Sequence, residues 1–134
     1  MKLEWIEEFA DHYLQTPSGK GVFLAGIVLG MVARAQDKDL SSAPMFKQIM
    51  FGKMQRRDLL RHLGRLPELL RAYDVKYTFY IQQLAGRCGE LLLTGGSEMG
   101  VEGNFAFSVA FLNSNDYFWR IFAKEESDGN EGGE

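Results

Sequence analysis

Residues 21–33 read GVFLAGIVLGMVA, thirteen positions without a single charge. A helix that is apolar on every side has no face to offer water, so it must occupy the middle of whatever the chain builds. As a membrane span the run is short: thirteen helical residues reach ~20 Å against a hydrocarbon core of ~30 Å. Gly26 and Gly30 stand one turn apart and mark a place where a second helix packs closely in a core. Ser18 is a candidate N-cap, and the helix extends to about Gln36. At 134 residues, with 46% hydrophobic and 13% aromatic side chains, one domain can wrap this helix in a real core.

The flanking segments carry helical spacing. Trp5/Ile6, Phe9/Ala10 and Tyr13/Leu14 recur four apart among acids, which predicts an amphipathic helix ending before Pro17. Pro44 suits the first turn of a short helix through Phe51, closed by Gly52. Leu59, Leu63, Leu66, Leu70 and Tyr73 alternate four and three apart as one buried face. Gly64 and Pro67 interrupt that ladder, so two helices meeting near residue 65 and one continuous helix both remain open. Tyr77, Ile81, Leu84, Cys88 and Leu91 predict a further helix to about Leu93, followed by a glycine-rich loop over residues 94–103.

The last apolar segment, residues 104–123, alternates like a strand at Phe105, Phe107, Val109 and Phe111, yet Phe107, Phe111, Phe118 and Phe122 fit a helix with Asn104 as its cap. A lone strand would have no partner among helices, which favours helix, with a break at Asn113–Asp116. These phenylalanines, Phe105 included, read as core. The predicted fold is all-α: a compact bundle of about five to six helices over residues 1–123, with a disordered acidic tail over 124–134.

Charge is segregated along the chain. Residues 45–76 hold eight bases and three acids, a net +5 inside a protein of net −3. Lys53, Arg57, Arg61 and Arg65 recur every fourth residue, opposite the leucines if the segment is helical throughout. Such a face can simply be solvated, or it can meet an extended anion such as a nucleic-acid backbone. Lys47, Lys53, Arg56, Arg57, Arg61, Arg65 and Arg71 are therefore the candidate nucleic-acid-binding residues. Tyr77, Tyr80 and Trp119 could stack on bases, although core packing accounts for each as well.

Other chemistry finds little support. The glycines fit neither the phosphate-loop nor the dinucleotide pattern, His12 and His62 share no spacing, and HxxxH and CxxC are absent. Cys88, the lone cysteine, falls on an apolar ladder and reads as a buried inert thiol; with no intrachain disulfide possible, a reducing compartment is the simple expectation. The opening MKLEWIEEFADHY is acidic and amphipathic, unlike a signal peptide. The expectation is a cytoplasmic protein that is not an enzyme, with no cofactor, metal, membrane or small-molecule substrate.

Three stretches together, FLAGIVLGMVARAQ, PMFKQIMFGKMQRRDLLRHLGRLPELLRAYD and FAFSVAFLNSNDYFWRIF, resemble the C-terminal region of the large subunit of the type I-B CRISPR Cascade complex. In that region a hydrophobic helix with GxLxG-like spacing precedes a P-[FML]-x-K-x-[IL] turn, a basic-Asp-Leu segment, a leucine-rich helix ending near a tyrosine, and an aromatic helix. The resemblance covers roughly residues 20–122, and the type I-D small subunit is a close alternative. It implies a small subunit of the complex, made separately from an internal start, as Met1 opening onto the first helix would fit. It further implies a helical bundle without nuclease activity that stacks in several copies beside the large and backbone subunits, guide RNA and target DNA. Carried onto this sequence, it favours Arg56, Arg57 and Arg61 as backbone contacts, with Lys47 and Lys53 behind them. The alternative from a different class is a helical protein–protein adaptor that docks an acidic partner on the same basic face.

Overall fold

The computed structural model describes residues 1–95 and 98–122. The tail assigned to residues 124–134 lies outside the described residues, as do two positions of the glycine-rich loop. Among the described residues there are seven α-helices and no strand: α1 (Pro17–Gln36), α2 (Pro44–Gln48), α3 (Arg56–Gly64), α4 (Leu66–Ala72), α5 (Thr78–Gly95), α6 (Gly100–Leu112) and α7 (114–122). The all-α class holds.

Helix α1 is the central strut. Thr16, two residues ahead of the expected Ser18, caps it by accepting from the Gly19 N–H at 3.0 Å, and Pro17 fills the first turn. Every residue from Gly21 to Ala33 is buried. At twenty residues α1 is long and apolar enough to cross a membrane, but its sides are covered by α5 and α6. The GxxxG pair works as a close contact between helices in the core: a Cβ on Gly26 would stand 2.7 Å from the Ala110 Cβ and the Phe107 carbonyl oxygen, and one on Gly30 would overlap Ser114. Backbone therefore meets backbone where α1 crosses α6.

The break left open near residue 65 and the one expected at Asn113–Asp116 both occur, which raises the helix number above the five or six expected. Pro67 has no N–H to give and would crowd the Leu63 carbonyl within one helix. The chain turns at Arg65 (φ −92°, ψ 0°), and Pro67 falls in the first turn of α4, where its missing N–H costs nothing. Asn113 separates α6 from α7. Arg34 fastens that corner to α1, donating from Nε to the Ser114 hydroxyl at 2.9 Å and from Nη2 to the Leu112 carbonyl at 2.8 Å.

Other expectations need correction. The N-terminal segment is two 3-10 turns, Glu4–Glu8 and His12–Gln15, with Phe9 extended between them. Trp5, Phe9, Phe23 and Tyr117 form one ring cluster, and the Lys2 N–H reaches the Ile121 carbonyl. A straight helix could not bend over α1 and α7 to make both contacts. Asn104 does not cap α6, which starts one turn earlier at Gly100. Phe105 is 68% exposed and outside the core, because at helical spacing it points away from the buried Phe107 and Phe111. Tyr73 leaves the leucine face as well, because it stands at the C-cap of α4 with a non-helical backbone (φ −109°, ψ 9°); the buried row is Leu59, His62, Leu66 and Leu70.

Candidate nucleic-acid interface

The basic face is built on α3, whose start is fixed twice. Asp58 accepts from the Gln55 backbone N–H at 2.9 Å, closing a capping box with Gln55 as N-cap. One residue earlier, Asn104 of α6 accepts from the Met54 N–H at 2.7 Å and donates to the Met54 carbonyl at 3.0 Å. The approach to α3 is thereby tied to the core, and the helix presents a set direction to solvent.

Leu59 is fully buried, and Arg57 and Arg61 each stand two residues from it. At helical spacing that places them roughly 160° away on either side, straddling the direction opposite the core. Arg57 is exposed. The Arg61 side chain is 65% exposed and donates to the second oxygen of Asp58 at 3.1 Å. An exposed i,i+3 pair of this kind is weak in water and easily exchanged for a phosphate contact.

The other candidates have separate settings. Arg56 is half-buried and donates from Nη1 to the Leu92 carbonyl at 3.1 Å, where a cation complements the C-terminal end of α5. Lys53 lies in the turn before α3, next to Gly52 (φ +85°), so it is not part of a helical stripe. Arg65 is exposed at the α3–α4 junction, Arg71 is exposed in the last turn of α4, and Lys47 is exposed in the last turn of α2. The helix thus brings Arg57 and Arg61 together, with Arg65 one turn beyond.

Glu98, to which no sequence pattern points, joins Gln55, Arg56, Arg57 and Leu60 around a cavity of about 260 Å³. No spacing could have revealed it, because some forty residues separate it from α3. It sets one carboxylate at the edge of the basic face. His62, on the inner side of α3, has its pKa pushed down by burial and then by the neighbouring Arg61 charge. Cys88 donates its thiol to the Gly21 carbonyl in the core, and burial pushes its pKa up, as fits an inert thiol.

The family model for the C-terminal domain of CRISPR-associated protein TM1802 (cas_TM1802) matches residues 2–125. No curated protein and no solved structure matches the chain. The matched span includes all seven helices and every candidate base, and it agrees with the resemblance to the C-terminal region of a CRISPR large subunit. The chain belongs to the family of the cas_TM1802 C-terminal domain, within the CRISPR-associated proteins.

Proposed function

We propose that the chain is a non-catalytic small subunit of a CRISPR Cascade complex that holds DNA by its phosphates through the outer face of α3. The observation that carries this reading is the placement of Arg57 and Arg61 on the side of α3 opposite Leu59, in a CRISPR-associated domain. Two cations about one helical turn apart on a capped helix suit an extended polyanion and read no sequence; base pairing with the guide RNA would supply that. Lys47, Lys53, Arg65 and Arg71 extend the positive field, and Arg56 contributes with the part of its guanidinium not bound to Leu92. The other Cascade subunits and further copies of this chain would be its partners, raising avidity along one filament, and the cytoplasm its compartment.

The test is Arg57→Glu with Arg61→Glu. The variant should keep its helical circular dichroism while the complex loses affinity for target DNA. The slope of log affinity against log salt should flatten by about 0.9 for each phosphate no longer neutralised. Unchanged affinity and slope would sink the assignment.

A second reading, a protein–protein adaptor, is favoured by one observation. A cavity of about 280 Å³ opens between the N-terminal turns and α6, lined by Phe9, Leu14, Phe23, Phe105, Val109 and Tyr117 among others, and apolar grooves of this kind take partner side chains. Capture of a protein partner by the chain, with DNA affinity absent, would make this the better reading.

A further inference from the structure

A cleft of about 280 Å³ lies between the end of α1 and the connection from α4 to α5. Its floor includes the buried Met31 and Ile81, and Tyr73, Tyr77, Arg34 and Lys76 line it, with Asp74 beside them. The arginine face of α3 uses none of these residues.

Tyr73 and Tyr77 are 40% and 48% exposed, while most of the large rings pack inside. Tyr77 also has φ +62°, a left-handed backbone that a bulky side chain adopts only under strain. Its ring stands edge-on to Trp119 at 4.7 Å, so the ring is held in place although it is half open to water. The connection is held too: the Thr78 hydroxyl donates to the Val75 carbonyl at 2.7 Å, and the Val75 N–H reaches the Leu70 carbonyl at 3.1 Å. Surrounding structure thus fixes a strained residue and leaves an aromatic surface available.

The charges complete the pattern. Arg34 is oriented by its bonds to Ser114 and Leu112, and Lys76 is exposed. Asp74 is an acceptor suited to an exocyclic amine on a base edge. Aromatic surface beside fixed cations is the chemistry by which single-stranded polynucleotides are held: rings stack on bases and cations meet the phosphates. Duplex bases are already stacked on each other and offer no free face. The volume sits just under the roughly 300–1,000 Å³ of drug-sized ligand sites, which suits one base.

We propose that this cleft takes one unpaired base of a single-stranded polynucleotide, stacked on Tyr73 or Tyr77, with the adjoining phosphate on Arg34 and Lys76. The inference rests on the nucleic-acid reading above and adds to it a second contact that distinguishes single strands from duplex.

The test uses the full chain with fluorescently labelled single-stranded DNA, single-stranded RNA and duplex DNA of equal length. Tyr73→Leu and Tyr77→Asn are the variants, asparagine being a residue that tolerates the left-handed backbone. The variant at the ring that carries the base should weaken single-strand binding about five- to 150-fold, the range that one stacked base contributes, and leave duplex binding unchanged. Tyr73→Phe keeps the ring and should bind like the parent. Comparing the DNA and RNA arms tells which strand the cleft prefers. If both tyrosine variants bind every single strand like the parent while Arg57→Glu with Arg61→Glu weakens binding, the cleft inference is overturned and the arginine reading stands. Equal losses on duplex and single strand would also overturn it. Absence of salt-dependent binding in the parent chain would remove both.

Discussion

Asn104 pairs with both backbone groups of Met54, accepting from its N–H at 2.7 Å and donating to its carbonyl at 3.0 Å, across fifty residues of sequence. A third bond runs to the Gly100 carbonyl at 2.8 Å. One buried amide thereby registers the start of α3 against α6. Asn104→Ala leaves both groups of Met54 without partners in the core and should destabilise the fold by about 2–4 kcal/mol. Urea unfolding reads this directly, and an unchanged midpoint would contradict the role given to Asn104.

The same substitution at two glycines should act in opposite directions. Gly86 lies within α5, and a Cβ there would meet nothing within 4 Å. Gly86→Ala should therefore stabilise by about 0.5–1 kcal/mol through helix propensity alone. At Gly26 the added Cβ would press on Ala110 and on the Phe107 carbonyl, and forcing such a contact costs about 1–3 kcal/mol, more than the propensity gain. Thermal unfolding of the two variants should move to opposite sides of the parent.

Neighbouring arginines should separate into a structural one and a surface one. Arg56→Ala removes the bond to the Leu92 carbonyl and the charge at the end of α5, for a loss of about 1 kcal/mol or more. Arg57→Ala, at an exposed position, should stay within about 0.5 kcal/mol of the parent while lowering DNA affinity. Denaturant midpoints and DNA titrations on the two variants check both halves.

His62 predicts a loss of stability in mild acid. Burial, and then the Arg61 charge, hold its pKa below the usual 6.5, so the unfolded chain takes up a proton before the folded one does. The contribution is fully present above pH 6.5 and falls away as the pH drops through the folded value. Urea midpoints measured from about pH 7.5 downward should decline for the parent and decline less for His62→Leu. Parallel profiles would assign the acid sensitivity to other groups.

Periodicity carried much of the architecture. The ladder from Ile81 through Leu84 to Cys88 names the buried side of α5, Gly26 and Gly30 lie at the α1–α6 crossing, and Pro67 and Asn113 stand where the helices break. Long-range contacts decided the rest. The spacing of Trp5, Phe9 and Tyr13 is helical, yet the rings of Trp5 and Phe9 are held in place by Phe23 and Tyr117, and the Gln15 side chain donates to the Ile6 and Phe9 carbonyls in place of helical bonds. Asn104 has the chemistry of a cap, but its partner is fifty positions away. Arg57 and Arg61 could be picked from their spacing, whereas Glu98 at their edge and the cleft between the end of α1 and residues 73–77 exist only once distant segments meet.

The buried course of α1 has a consequence for synthesis. Its apolar sides are covered mainly by α5 and α6, which leave the ribosome more than forty residues later. At roughly 5–20 residues per second the most hydrophobic segment of the chain waits for seconds without a lid. Folding must then be a late event that draws in nearly the whole sequence, and a product cut short before α6 would emerge as a sticky fragment, a natural client for chaperones.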